Sequence, residues 1–157
     1  MNLGWVVLTV VVIMAVRAYT QRGIVQGEAP PLEGVTLAGE WTSLVELRGT
    51  PVLVHFWATW CPVCRREQGT IESIAQEYPV VTIAMQSGRV AEVRAYVREN
   101  ALNAPVLVDE FGDIARVYGV RAVPTSFILD RHGMIRFVEV GYTTEAGLRA
   151  RLWLAGL

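Results

Sequence analysis

Apolar and polar positions follow two different periods along this chain, and their order predicts an α/β protein. Three short runs are almost continuously apolar and rich in β-branched residues, as in strands buried on both faces; they are PVLVHFW (Pro51–Trp57), VVTIAM (Val80–Met85) and PVLVD (Pro105–Asp109). After each strand, apolar residues recur every three or four positions, which predicts helices over Cys61–Tyr78, Val90–Asn100 and Gly112–Tyr118.

The last third of the chain changes to a pattern of paired strands followed by one helix. PTSFILD (Pro124–Asp130) and MIRFVEVG (Met134–Gly141) flank the tripeptide RHG, which is typical of an antiparallel hairpin. Thr143 or Thr144 is a suitable N-cap for a final helix that runs to about Leu154. The inner face of this helix is predicted to carry Leu148, Leu152 and Trp153.

Shorter elements precede the first buried strand. Gly23–Gly34 is rich in Gly and Pro and indicates a linker or an extended lead-in. Val35–Trp41 predicts a small hairpin, and Ser43–Gly49 a single helical turn. We therefore expect a globular domain over residues 35–157, with a mixed central β-sheet sandwiched between helices.

The N-terminal run Leu3–Val16 contains no charged residue. It is somewhat shorter than the roughly 20 residues that span a bilayer, and no small-residue cleavage site follows it. Residues 1–22 are therefore predicted to form a retained membrane anchor, and the alternative is a buried helix of the globular domain. Arg17 and Arg22 follow the run and no basic residue precedes it, a charge bias that by itself favours a cytoplasmic domain.

The composition of the chain argues against nucleic-acid binding, Schiff-base chemistry and a Cys/His metal site. Hydrophobic residues make up 52% of the 157 residues, and the formal net charge of −1 gives no reason to expect a nucleic-acid partner. All 14 cationic residues are arginine, which excludes a Schiff-base lysine. With only Cys61, Cys64, His55 and His132 available, a four-ligand metal site is barely attainable and the histidines lack finger-like spacing. We expect neither a metal nor a cofactor.

The two cysteines lie at the predicted start of a helix that directly follows a buried strand. Unpaired N–H groups and the helix dipole stabilise a thiolate there, so the pKa of Cys61 should fall below its usual 8.5 or so. Pro62 suits the first helical position because its missing N–H would have no partner. Cys64 is one turn further on, within reach of a disulfide with Cys61. This geometry predicts that Cys61 attacks and that Cys64 resolves the mixed disulfide.

The pair has three alternative interpretations. A permanent structural disulfide would close a loop of only a few residues and would stabilise the fold little. Two thiolates also favour Cu(I), so CPVC could serve a copper-binding and delivery module. A third alternative is a structural domain with a vestigial dithiol. The redox-active pair is the favoured interpretation.

The motifs around the cysteines resemble those of a known superfamily. FWATWCPVCRRE (Phe56–Glu67) and VRAVPTSFILD (Val120–Asp130) resemble the active-site and cis-proline segments of thioredoxin-like proteins, with the membrane-anchored TlpA/ResA-like branch the nearest. VGYTTEAGLRARLWLA (Val140–Ala155), together with CPVC, is similar to the ScsD-like, suppressor-of-copper-sensitivity type. The resemblance implies a thioredoxin-like fold from about Val35 onward, behind an N-terminal membrane anchor.

The resemblance also implies roles for individual residues. Cys61 is the expected nucleophile and Cys64 the resolving thiol. Pro124 is the expected cis-proline, with an ordinary trans proline at a strand start as the alternative. The expected substrate-binding surface, where the Val123 backbone pairs with a substrate strand, consists of Trp60, Pro62, Val63, Val123 and Pro124. Trp60 is expected either to shield the disulfide from solvent or to pack against the end of the neighbouring strand.

Two further titratable residues have alternative interpretations. Glu67 matches an acidic residue of the ResA-like branch that accepts a proton from the buried thiol; the alternative is an exposed first-turn glutamate. His55 stands where thioredoxins proper have a buried aspartate. It is interpreted either as a proton shuttle near pH 7 or as a hydrogen-bonded core histidine.

The implied activity is thiol–disulfide exchange on the extracytoplasmic side of a bacterial inner membrane. The catalytic domain would lie in the periplasm behind a single-pass anchor. Anchored relatives of this branch are mostly reductases, so the expected partners are oxidised protein substrates and a transmembrane DsbD-like electron donor. Proline as the first residue between the cysteines is typical of oxidising relatives instead, which keeps a disulfide-forming oxidase as the alternative.

Overall fold

A computed structural model describes residues 3–157; Met1 and Asn2 of the predicted anchor segment lie outside the described residues. The helices are α1 Leu3–Thr20, α2 Pro62–Ala75, α3 Val90–Glu99, α4 Asp113–Tyr118 and α5 Glu145–Ala155. The strands are β1 Gly27–Glu28, β2 Glu33–Val35, β3 Trp41–Ser43, β4 Val52–Trp57, β5 Val80–Met85, β6 Val106–Asp109, β7 Thr125–Leu129 and β8 Met134–Val140.

Six of the strands form one mixed sheet in the order β1-β8-β7-β4-β5-β6. β4 runs parallel to β5, and β5 parallel to β6, whereas β7 pairs antiparallel with β4 and β8 antiparallel with β7. The carboxyl ends of the three parallel strands therefore meet at one edge of the sheet, and β7 begins at that same edge. Both cysteines follow β4 there.

The sheet buries apolar side chains on both faces, as the continuous apolar strands predict. Phe56 on one face packs against the rings of Tyr118 and Phe127, with ring centroids 5.3 and 5.7 Å away. Leu53 on the opposite face belongs to a second cluster that includes residues of α2 and α5. Because adjacent strand residues point to opposite faces, β4 contributes to both layers. The predicted helix–sheet–helix arrangement is confirmed.

The segment between residues 23 and 34, predicted as a linker or an extended lead-in, is packed against the domain. β1 pairs with β8, and Leu32 is only 4% exposed. The hydroxyl of Tyr118 donates a hydrogen bond of 2.8 Å to the carbonyl oxygen of Pro30. The linker interpretation is therefore wrong and the extended lead-in is correct, because the few apolar residues of this stretch cover the core.

Ser43 ends β3, and residues 44–49 form consecutive turns. The N–H groups of Glu46 and Leu47 both donate to the carbonyl oxygen of Ser43, which agrees with the predicted helical turn. Two other local predictions need correction. Helix α2 ends at Ala75, three residues before the predicted end. Trp153 is 61% exposed, whereas Leu148, Leu152 and Ala155 form the buried face of α5. Consecutive residues of an α-helix point about 100° apart, so Trp153 points away from the face that Leu152 occupies. Residues 148, 152 and 155 are spaced by three or four positions and therefore share that face.

Helix α1 exposes its apolar side chains over residues 4–16, including Trp5 at 69%. The alternative that this run is a buried helix of the globular domain is therefore wrong. Among the described residues, no helix combines the length and the apolarity needed to cross a bilayer.

Candidate active site

Cys61 and Cys64 are joined by a disulfide at the start of α2, with their Cα atoms 5.3 Å apart. Cys61 is the N-cap residue, with extended backbone angles, and its Sγ accepts a hydrogen bond of 3.1 Å from the backbone N–H of Cys64. Pro62 occupies the first helical position. The sulfur of Cys61 thus takes the place that an oxygen side chain takes in an ordinary N-cap, where the helix end favours negative charge.

The two sulfurs lie beneath a partly exposed rim. Cys61 and Cys64 are 3% and 1% exposed, so both are buried in the disulfide form. Pro62 and Val63 are exposed beside them. Trp60 is 59% exposed, and its indole Nε1 donates a hydrogen bond of 3.0 Å to the carbonyl oxygen of Gln86. This bond fixes the indole against the loop after β5 rather than in the core.

The segment before β7 closes the other side of the dithiol. The Val123–Pro124 peptide bond is cis, as the resemblance implies. The carbonyl oxygen of Val123 lies 3.6 Å from Sγ of Cys61. The carbonyl oxygen of Pro124 accepts a hydrogen bond of 2.8 Å from the N–H of Gly141. The sequence-predicted residues Trp60, Cys61, Cys64, Val123 and Pro124 are therefore brought together at one sheet edge.

Glu67 is completely buried, so the alternative of an exposed first-turn glutamate is wrong. Its Oε1 accepts a hydrogen bond of 2.9 Å from the N–H of Thr143, whereas Oε2 is buried without a hydrogen-bond partner among the described residues. Burial raises the pKa of Glu67 to about 7, and the bond from Thr143 opposes that rise. Because Glu67 follows Cys64 by three residues, both side chains lie on the same face of α2.

His55 lies in the middle of β4, beneath α2, and is 3% exposed. Its Nδ1 lies 2.9 Å from the hydroxyl oxygen of Ser126, its neighbour on β7. Burial lowers the pKa of His55 to about 3, so the ring is neutral at pH 7. The geometry supports the hydrogen-bonded core histidine and gives a proton shuttle near neutrality no support. A cavity with room for about one water molecule adjoins the ring.

Sequence reasoning did not single out the residues that hold the rim in place. Gln86 has a positive φ of 45°, and its carbonyl oxygen accepts the bond from Trp60. No sequence signal marks this glutamine for that conformation. Thr143 acts through its backbone N–H group, which any residue other than proline supplies. Gly141 also acts through its N–H group, but its φ of +89° favours glycine at this position. Among residues 3–157, no group of three His, Cys, Asp or Glu side chains is arranged to hold a metal ion.

A helix-capping dithiol beside a cis-proline, on a mixed sheet between helices, defines a thiol–disulfide oxidoreductase with a thioredoxin-like fold. The sequence profile of the AhpC/TSA family matches residues 25–138, and the chain belongs to this family. Its relatives place it in the TlpA/ResA-like branch.

Two curated relatives and one crystal structure illustrate the similarity. The thioredoxin-like protein YneN of Bacillus subtilis is 38% identical over 83% of this chain and 80% of its own length. The thiol-disulfide oxidoreductase ResA of Bacillus thuringiensis is 31% identical over 80% of this chain and 75% of its own length. The crystal structure of the exposed lipoprotein thioredoxin Etrx1 of Streptococcus pneumoniae superimposes with a TM-score of 0.74 at 26% identity, covering 80% and 99% of the two chains. The narrower similarity to the ScsD-like type remains a prediction.

Proposed function

We propose that this protein reduces disulfides of other proteins outside the cytoplasm, with Cys61 as the nucleophile and Cys64 as the resolving thiol. The observation that carries the assignment of roles is the hydrogen bond from the N–H of Cys64 to Sγ of Cys61 at the first turn of α2. Only Cys61 lies at the helix end, where backbone N–H groups and the dipole stabilise a thiolate.

In the proposed reaction the reduced protein begins with a Cys61 thiolate. This thiolate attacks one sulfur of a substrate disulfide, forms a mixed disulfide and releases the second substrate sulfur as a thiolate. Cys64 then loses its proton and attacks Sγ of Cys61, which releases the first substrate sulfur. The substrate gains two electrons, its two sulfurs take up the proton lost by Cys64 and one proton from solvent, and Cys61 and Cys64 are left as the disulfide.

Glu67 is proposed to accept the proton of Cys64 in the second step. Its carboxyl is buried on the same face of α2, and one of its oxygens is free of any hydrogen-bond partner among the described residues. With a pKa raised to about 7 by burial, the carboxylate is basic enough to take up a proton at neutral pH. A carboxylate at its ordinary pKa would be a much weaker base.

The reducing direction and the electron donor rest on the resemblance to the TlpA/ResA-like branch. A transmembrane DsbD-like protein is the proposed donor that regenerates the dithiol. The test is the equilibrium reduction potential against glutathione. A reductase predicts a value nearer the roughly −270 mV of thioredoxin than the roughly −120 mV of DsbA. A value close to that of DsbA would replace this proposal with the disulfide-forming oxidase.

We further propose that residues 1–22 attach the domain to the bacterial inner membrane and that the domain faces the periplasm. The apolar side chains of α1 are exposed, as expected for a segment that meets lipid. The structurally similar Etrx1 of Streptococcus pneumoniae is an exposed lipoprotein, which supports a location outside the cytoplasm. A fusion of alkaline phosphatase after Leu157 should be active, because that enzyme matures only outside the cytoplasm. An inactive fusion with normal expression would refute the proposed location.

A further inference from the structure

A groove of about 360 Å³ lies beside the active-site segment, between the loop after β6 and the chain that leads from α4 to Val123. Phe111, 72% exposed, stands at one side of the groove, and Met85 and Val120 contribute apolar surface. Arg116 and Arg121 supply its charge, and no acidic side chain is among its lining residues.

The groove is continuous with the rim of the dithiol. Gln86 lines it and also accepts the hydrogen bond from the indole of Trp60, the residue before Cys61. Arg121 lies two residues before Val123, whose carbonyl oxygen is 3.6 Å from Sγ of Cys61. A chain bonded to Cys61 and extended past Val123 toward Arg121 therefore enters this groove.

Two glycines that line the groove have left-handed backbone angles and close neighbours. Gly112 has a φ of +76°, and the amide nitrogen of Gln86 would lie 3.2 Å from a Cβ placed there. Gly119 has a φ of +70°, and a Cβ there would collide with the carbonyl oxygen of Gly23. Glycine adopts these angles without steric cost. The close approach of Gly119 and Gly23 holds the N-terminal lead-in against the end of α4, next to Arg121.

The charge of the groove comes mainly from Arg121. Arg116 is paired with Asp113 at 2.7 Å, and both side chains are largely exposed. Arg121 is exposed, and it makes no ion pair or hydrogen bond with another residue of the described chain. Its guanidinium lies near the backbone of Gly23, as the 3.1 Å from Nη2 to a Cβ built on that glycine shows. A cation without a partner in this groove attracts anionic ligand groups.

We infer that this groove binds the part of a protein substrate next to its reactive cysteine, and that it selects an acidic side chain for Arg121 and an apolar one for Phe111. This inference rests on the proposed function, because it extends the same site. It adds a specificity-determining residue, Arg121, to the exchange reaction. Favourable charge at the rim of a site acts mainly on the rate of association and is weakened by salt.

The test uses synthetic peptides that each carry one cysteine as a mixed disulfide with a small thiol. They differ only in having aspartate or lysine two positions before and after the cysteine. The reduced full-length protein should react about fivefold faster with the aspartate peptide at low ionic strength, and 0.5 M salt should remove most of the difference. A second peptide pair with leucine or serine beside the cysteine tests the apolar side, and Phe111→Ser should abolish a preference for leucine.

Variants separate the groove from the general charge of the protein. Arg121→Glu should reverse the charge preference, and Arg121→Gln should reduce it if the glutamate variant folds poorly. Arg136→Glu, an exposed position on β8 outside the groove, is the matched control and should keep the wild-type preference. Equal rates for the aspartate and lysine peptides would contradict the proposed role of the groove, and so would an Arg136 variant whose charge preference changes as much as that of the Arg121 variant. Neither result would contradict disulfide exchange itself. Failure to react with any peptide disulfide would overturn the proposed function itself.

Discussion

The N–H of Thr143 donates a hydrogen bond of 2.9 Å to Oε1 of Glu67, and this bond joins the loop before α5 to the buried interior of α2. Two residues earlier in the same loop, the N–H of Gly141 bonds the carbonyl oxygen of Pro124. One short loop therefore contacts both the buried carboxyl and the cis-proline segment. The second oxygen of Glu67 has no hydrogen-bond partner among the described residues, so this carboxyl is held at one end only.

The raised pKa of Glu67 predicts a loss of stability as the pH rises. Between about pH 4.5 and 7 the folded protein keeps a proton on Glu67 that the unfolded chain has released. The free energy of unfolding should therefore fall with rising pH in this window, by at most about 1.4 kcal/mol per pH unit for one proton. Urea unfolding of the oxidised protein between pH 4.5 and 8 measures this dependence.

Glu67→Gln is the matched variant for that experiment. Glutamine retains an oxygen that can accept the bond from Thr143, but it does not titrate. The difference in unfolding free energy between the variant and the wild type should grow in favour of the variant up to about pH 7 and then level off. A constant difference across the whole range would show that Glu67 titrates near its ordinary pKa.

His55 predicts the opposite dependence at lower pH. Burial lowers its pKa from 6.5 to about 3, so below about pH 6.5 the unfolded chain binds a proton that the folded protein does not. Stability contributed by His55 is present above that pH and is lost as the pH falls toward 3. His55→Asn removes this titration and can retain a hydrogen bond to Ser126. The wild type should lose stability faster than the variant on acidification, and parallel curves would contradict the neutral, buried histidine.

The strands and helices that carry the dithiol could be predicted because each has an apolar pattern typical of one kind of element: a continuous apolar run for a buried strand, and a repeat of three or four residues for a helix. The apolar run before Trp57 is typical of a strand covered on both faces. The span predicted for β5 agrees with the structure at both ends. Trp153 was misplaced because an aromatic residue beside Leu152 resembles a core position when only composition is considered. Thr143 was considered only as an N-cap, the position that Thr144 occupies. The contacts of Gln86 and Thr143 within the site could not be predicted, since they are made by backbone groups whose direction depends on the tertiary fold.

The burial of Glu67 shows the same limit of local patterns. A charged residue on an amphipathic helix is usually exposed, and only the neighbouring loop with Thr143 makes the buried position tolerable. The resemblance to the ResA-like branch, and not the helical period, pointed to this residue. Packing between α2 and the loop before α5 decides its environment.

The position of Cys61 at the helix end predicts unequal reactivity of the two thiols. In the reduced protein, Cys61 should titrate with a pKa below the usual 8.5 or so, and it should react with iodoacetamide well before Cys64. Mass spectrometry of partially alkylated protein identifies the labelled residue. The unfolded protein in urea is the control, because both thiols should then react at similar rates. Equal labelling of the two residues in the folded protein would refute the assigned roles.

The last prediction concerns the intermediate. Without Cys64 the mixed disulfide on Cys61 has no internal thiol to resolve it, so Cys64→Ala should accumulate covalent complexes with substrate or donor. Cys61→Ala should trap few or none, because Cys64 lies one turn inside α2 and is 1% exposed in the oxidised form. Non-reducing gels of both variants, isolated after acid quenching from membranes of the host, measure the adducts, and the double variant gives the background. Comparable adducts on both single variants would mean that either thiol can meet a partner, which contradicts a mechanism that begins only at the N-cap of α2.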